Sequence, residues 1–120
     1  MEDPCRFDVW AQIIRGAAHD AALFVSEWRH SLTPLELRRE INRSMVQGEA
    51  ILIASRVTWS QAQHIRDTPP SWASEIGVYQ ENYGPKDFAH PMRFRGHCKS
   101  HDLFYGGSLG CHVCNGFFVQ

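Results

Sequence analysis

The chain has 120 residues, 43% of them hydrophobic and 21% charged, with a formal net charge of −1. That length suits one ordinary domain, and the near-neutral balance excludes a protein held to nucleic acid by its overall charge. No apolar run approaches the roughly 20 residues that span a bilayer, and the start Met-Glu-Asp-Pro-Cys lacks the charged-then-apolar order of a secretory signal. The expected setting is therefore intracellular, cytoplasmic with the nucleus also open, and without a membrane partner.

Residues 4–30 carry Trp10, Ile13, Ile14, Ala17, Ala21, Phe24, Val25 and Trp28 at steps of three and four. That is one apolar stripe of an amphipathic helix. Asp3-Pro4 supplies a cap and a first-turn proline, so the spacing predicts one long helix with a weak point at Gly16. Thr33-Pro34-Leu35-Glu36 then places a hydroxyl, a proline and a carboxylate in capping-box order. The helix it starts should run to about Gln47 and stop at Gly48. Leu37, Ile41 and Met45 form its inner line, while Arg38, Arg39 and Arg43 fall on the other side.

Residues 50–59 fit a buried strand through Ile51, Ile53, Val57 and Trp59, or the start of a third helix continuing through 60–66. Periodicity leaves both open. Pro69-Pro70 ends whatever precedes it. Residues 68–96, punctuated by Gly77, Gly84-Pro85 and Pro91, read as an irregular connector rich in aromatic residues. The organisation expected is a helical region over 1–67, the connector over 68–96 and a metal-bound hairpin over 97–120. The fold class is then a single α+β domain, mostly helical in its N-terminal part.

The chemistry concentrates at the C-terminal end. Cys98 and His101 form a Cys-x2-His pair, and Cys111 and Cys114 a Cys-x2-Cys pair. Two intervening residues let a tight turn present both ligands to one ion. Three thiolates and an imidazole match Zn2+, and four protein ligands close a structural site. One structural zinc is expected on Cys98, His101, Cys111 and Cys114, with His97 and His112 as competing ligands. Gly106-Gly107, flanked by Phe104, Tyr105 and Leu109, suits the turn of a hairpin between the two pairs. Cys5 stands apart as a buried or free thiol. Zinc-bound thiolates are the species oxidants attack, so this end should be redox-sensitive, Cys111 and Cys114 joining once zinc leaves.

The pattern departs from catalytic zinc. No Glu stands near as a general base, and the zinc-deaminase order His-x-Glu with Pro-Cys-x-x-Cys meets Lys99 and Gly110 at two key positions. The segment Gly110-Cys-His-Val-Cys-Asn115 resembles the Cys-x2-Cys-Asn segment of recombination-nuclease VII-like endonucleases in the His-metal finger group. That resemblance implies a catalytic histidine at His97 or His101, but the upstream Cys-x2-Cys of that group is missing. No catalytic residue and no small-molecule substrate are assigned.

Residues 86–120 carry four basic and two acidic side chains, against eight and eleven in residues 1–85. Basic and aromatic residues interleave at Arg93, Phe94, Arg95 and Lys99, a surface able to contact phosphate and stack on bases. The function expected is that of a small zinc-stabilised regulatory or accessory protein that binds a host or cognate protein, or RNA. A sequence-tolerant nucleic-acid-binding zinc module is the alternative, and oligomeric state stays open. The segment Trp28-Arg-His-Ser31, the Arg/Glu-rich helix after it and the apolar run Ile51 to Ala54 resemble the first-frame proteins of sobemoviruses. That resemblance implies a viral accessory protein that suppresses host RNA silencing. A Cys-x2-Cys directly after the apolar run, part of that family's pattern, is absent here.

Overall fold

The computed structural model describes residues 6–14, 16–29, 32–47, 49–80, 96–106 and 110–114. Cys5, the segment 81–95 with Arg93, Phe94 and Arg95, and Asn115-Gly116 lie outside the described residues.

The expected helix over 4–30 is two elements. Phe7–Ile13 is a strand, β1, and Ala18–Trp28 is the first helix, α1. Phe7, Val9, Ala11 and Ile13 are all buried, none more than 7% exposed. That is a period of two, which a short run rich in apolar residues hides inside a three-four spacing. Gly16 decides between the readings. Its φ of +88° lies in the left-handed region that glycine enters without cost, and it turns the chain between strand and helix. Beyond it Ala21 and Val25 enter the core, and the Phe24 ring meets Trp28 at 6.3 Å and Trp72 at 5.4 Å.

The second helix, α2 (Pro34–Gln47), begins where the capping box predicts. Glu36 N–H donates to Thr33 Oγ1 and Thr33 N–H to Glu36 Oε1, each at 3.2 Å. Ile41 and Ser44 are buried, and Arg38, Arg39 and Arg43 are exposed as expected. Arg29, just after α1, binds Glu40 at 2.7 Å and the Leu52 carbonyl at 2.8 Å. One guanidinium thus ties both helices to the strand that follows.

The ambiguity over 50–59 resolves as strand then helix: β2 spans Ile51–Val57 and α3 Trp59–Asp67. Thr58 separates them by a second capping box, with Gln61 as its partner. Arg56 adopts a φ of +56° at the end of β2. There the buried Asp8 carboxylate accepts from the Arg56 N–H at 3.0 Å and the Ser55 hydroxyl at 3.3 Å, fixing an irregularity in the β1–β2 register.

The irregular connector expected over 68–96 contains a third long strand, β3 (Ala73–Gln80). It pairs with β1 along its whole length. Every second residue of it need not be apolar, because Ser74 and Glu75 sit at its exposed start while Gly77 through Gln80 are buried. Two short strands complete the sheet, β4 (Gly96–Cys98) and β5 (Leu103–Tyr105). The order is β2-β1-β3-β5-β4, antiparallel except for β3 and β5.

The described residues form one mixed globule of three helices and a five-stranded sheet, rather than a helical body carrying an appended hairpin. Leu103 and Cys111 belong to the same core cluster as Val9 and Ile53. β4, β5 and Cys111 are therefore joined to the main core, the strands by backbone pairing and Leu103 and Cys111 by packing.

Candidate metal centre

The turn between β4 and β5 falls at Lys99–Asp102, around His101, while Gly107 of the expected Gly106-Gly107 turn lies outside the described residues. β4 ends on Cys98, the turn carries His101, and β5 begins at Leu103. Asp102 closes the turn with a φ of +49°, a conformation that Asp tolerates better than most residues. Gly110, with a φ of +74°, turns the chain into the second pair at Cys111 and Cys114.

These turns bring four donor atoms together. His101 Nδ1 lies 3.5 Å from Cys98 Sγ, 3.8 Å from Cys111 Sγ and 3.3 Å from Cys114 Sγ. Cys98 Sγ and Cys114 Sγ are 3.5 Å apart. All four atoms lie within 4.8 Å of one another, an arrangement able to hold a metal ion. The Cys114 N–H donates to Cys111 Sγ at 3.5 Å, so the backbone of the second turn already supports a sulfur bearing negative charge. Cys111 is buried, Cys98 and His101 are half-buried, and Cys114 is exposed.

Neither competing histidine joins the cluster. His97 points its Nε2 at Asp102 Oδ1, 2.8 Å away, and packs its ring at a tilt against Phe104, with centroids 4.5 Å apart. The strand alternation explains this, since neighbours on β4 face opposite ways. His112 places its Nε2 3.4 Å from Gln80 Nε2, and burial lowers its pKa. Lys99 is exposed in the turn.

The electrostatics of the cluster favour one shared thiolate. Burial pushes the Cys98 thiol up, yet hydrogen bonds from the His101 side chain and backbone, Cys114 and Cys111 outweigh it and hold the group at about 6. The hydrogen bond to Cys98, with burial and the other thiol Cys111 acting the same way, pushes Cys114 up to about 11. Groups coupled this closely titrate as a set, so the two values describe where the first and last protons leave.

Two side chains that the spacing of ligands does not reveal hold these turns in place. Arg66, in the last turn of α3, donates from Nη1 to the carbonyls of His101 and Asp102, each at 2.8 Å. Its guanidinium lies 5.6 Å from the Trp59 ring, whose plane stands edge-on to His101 at 6.1 Å. Gln80, only 1% exposed, accepts the His112 N–H at 2.9 Å and reaches the Gly106 carbonyl at 3.5 Å. Arg66 fixes the first ligand turn to α3, and Gln80 fixes the second to the end of β3. A basic residue late in a helix is the only sequence signal Arg66 offered, and Gln80 offered none.

No protein-family model matches this chain, and no match is found among curated proteins or among solved structures.

Proposed function

We propose that the chain is a zinc-stabilised accessory module that performs no catalysis and acts by binding a macromolecule. The observation that carries this reading is the closure of the donor cluster. Zinc bonds of about 2.3 Å to sulfur and 2.0–2.1 Å to nitrogen, set at tetrahedral angles, separate the donors by about 3.8 Å for two sulfurs and about 3.5 Å for sulfur and nitrogen. Four of the six donor separations run from 3.3 to 3.8 Å, and all six lie within 4.8 Å. Three sulfurs and one imidazole suit zinc among the common divalent ions. Four protein donors leave no position for water or substrate, which is the mark of a structural site.

Arg66 and Gln80 support the same reading, because they anchor the ligand turns to α3 and β3 and so make the ion part of the fold. Zinc would set the β4–β5 hairpin and its exposed Lys99 rigidly against the sheet. The likeness of 28–54 to the first-frame sobemovirus proteins supports a partner in host RNA silencing.

One experiment separates the possible partners. Zinc-loaded protein and a Cys111→Ser, Cys114→Ser variant are used for affinity capture, with and without nuclease treatment. Capture that needs zinc and survives nuclease identifies a protein partner. Capture that nuclease abolishes, and that weakens steeply with salt, identifies the nucleic-acid reading. That second reading draws on the exposed His97 ring, tilted at 38° against Phe104, which itself stacks on Tyr79 at 4.5 Å. Magnesium-dependent cleavage of nucleic acid by the purified chain would sink the non-catalytic proposal.

A further inference from the structure

Between α1 and α2 lies an open groove of about 430 Å³ to which neither ligand turn contributes. Its width follows from side-chain size. Ala18 and Ala22, one turn apart on α1, line it together with Leu37 and Ile41 of α2. Methyl groups on one wall leave space that larger side chains would fill in a close-packed helix pair.

The charge at the groove has one sign. His19 and Arg38 line it, and among the described residues no Asp or Glu does. Arg29, Arg43 and Arg66 each have a carboxylate within 4.0 Å, at Glu40, Glu49 and Asp67 respectively. Arg38 is exposed and has no such partner among the described residues. On the outer side of α2, Leu35 is 56% exposed and Val46 83% exposed.

We propose that this groove receives an acidic amphipathic helix from a partner protein. Apolar side chains at positions i, i+3 or i+4 and i+7 of that helix would enter between Ala22, Leu37 and Ile41, and a carboxylate beside them would pair with Arg38. An apolar floor with an unpaired cation and no anion selects an acidic occupant over a basic one. Nucleic acid fits less well, because tracking a phosphate backbone takes several cations along a path and the groove offers one arginine. Two copies of the groove facing each other would bring two Arg38 side chains into one interface with no carboxylate lining it. The inference deepens the macromolecule-binding reading by giving it a surface and a partner class, and it does not depend on zinc.

The test uses the full chain, isotope-labelled and with its metal content measured beforehand. The probe is a 15-residue helix-prone peptide with leucine at i, i+3 and i+7 and glutamate at its outward positions. The control replaces every glutamate by lysine. Amide shifts should concentrate in 18–28 and 34–46 with the acidic peptide, and binding should be weaker by about tenfold or more for the lysine peptide. Arg38→Glu should weaken the acidic peptide by a similar factor, while Arg43→Glu, whose side chain does not line the groove, should change it less than threefold or so. Ala22→Leu should close the groove and abolish the shifts. If that variant does not fold, the exposed Arg38→Glu variant decides alone. The proposal is overturned if no shifts appear, if the lysine peptide binds equally, or if Arg38→Glu binds as the parent does. It is equally overturned if a single-stranded RNA oligomer shifts the same residues, or if sedimentation shows a dimer that Ala22→Leu abolishes. Zinc absent from the labelled sample would refute the zinc reading and leave this test intact.

Discussion

Replacing Arg66 by Met keeps most of the side-chain volume over Trp59 and removes the guanidinium. Two hydrogen bonds from a charged donor disappear, to the His101 and Asp102 carbonyls. A hydrogen bond to a charged group contributes about 1.5–3 kcal/mol when well shielded. The His101 carbonyl is partly buried and the Asp102 carbonyl exposed, so the first merits that range and the second only a fraction of it. The Arg66–Asp102 ion pair at 3.8 Å, with Asp102 62% exposed, adds little after solvent screening. A total near 2 kcal/mol follows. If the His101 turn is ordered chiefly in the metal-bound state, that loss appears in zinc affinity as about a thirtyfold weakening, since 1.4 kcal/mol is tenfold. This falls within the 10–100-fold usual for groups that orient metal ligands. Arg66→Lys should recover only part of it, because a point charge does not reach two carbonyls as a planar fork does. Competition against a chelator of known affinity measures the constants. An Arg66→Met chain that binds zinc within twofold of the parent would refute the reasoning.

Gly16→Ala should destabilise by about 1 kcal/mol in a thermal or denaturant melt, because alanine is strained at positive φ; a stabilised variant would restore the continuous helix over 4–30. Cys111→Ser, which removes a buried ligand, should cost much more stability than Cys5→Ser, and chelation should loosen 96–114 before the helices; equal melts for both variants would contradict this. In the metal-free chain, thiolate absorbance of the coupled cluster should show a first step near pH 6 and a last one near pH 11. Linkage gives the signs: the depressed Cys98 contributes stability above its unfolded value near 9, lost as pH falls through about 6, whereas the raised Cys114 contributes below that unfolded value, lost as pH rises through about 11. A single step at the ordinary thiol value would contradict both shifts. Mild peroxide should release zinc and join Cys98 to Cys114, whose sulfurs lie 3.5 Å apart across the two turns; peptide mapping that finds Cys111 joined to Cys114 instead would favour the link suggested by sequence spacing alone.

The cluster of four potential donors was legible because Cys-x2-His and Cys-x2-Cys are local patterns, set by turns of a few residues. So were the Thr33 capping box and the outward arginines of α2. The fold around them was not, because its decisive facts are long-range. Phe7 to Ile13 reads as helix until β2 and β3 lie on either side of it, and only then does its alternation outweigh the three-four spacing. β3 is masked in the sequence by Ser74, Glu75 and Gly77, and what makes it a strand is pairing with β1 residues 60 or more positions away. The β4–β5 turn at Lys99–Asp102 was not foreseen, because it carries no glycine or proline to mark it. Arg66 and Gln80 act on carbonyls and amides 26 to 36 residues distant, a relation no local spacing encodes.

The proposed closure of Cys98, His101, Cys111 and Cys114 around a single structural zinc has a stoichiometric consequence. Native mass spectrometry of the purified chain, before and after chelation, tests it most directly when each sample is also followed by circular dichroism. The account predicts one zinc per chain, four fewer titratable thiol and imidazole protons in the bound state than in the fully protonated free cluster, and loss of ordered structure at the C-terminal end when zinc leaves. A chain that purifies without metal, and keeps the same spectrum and melting temperature after chelation, would contradict it.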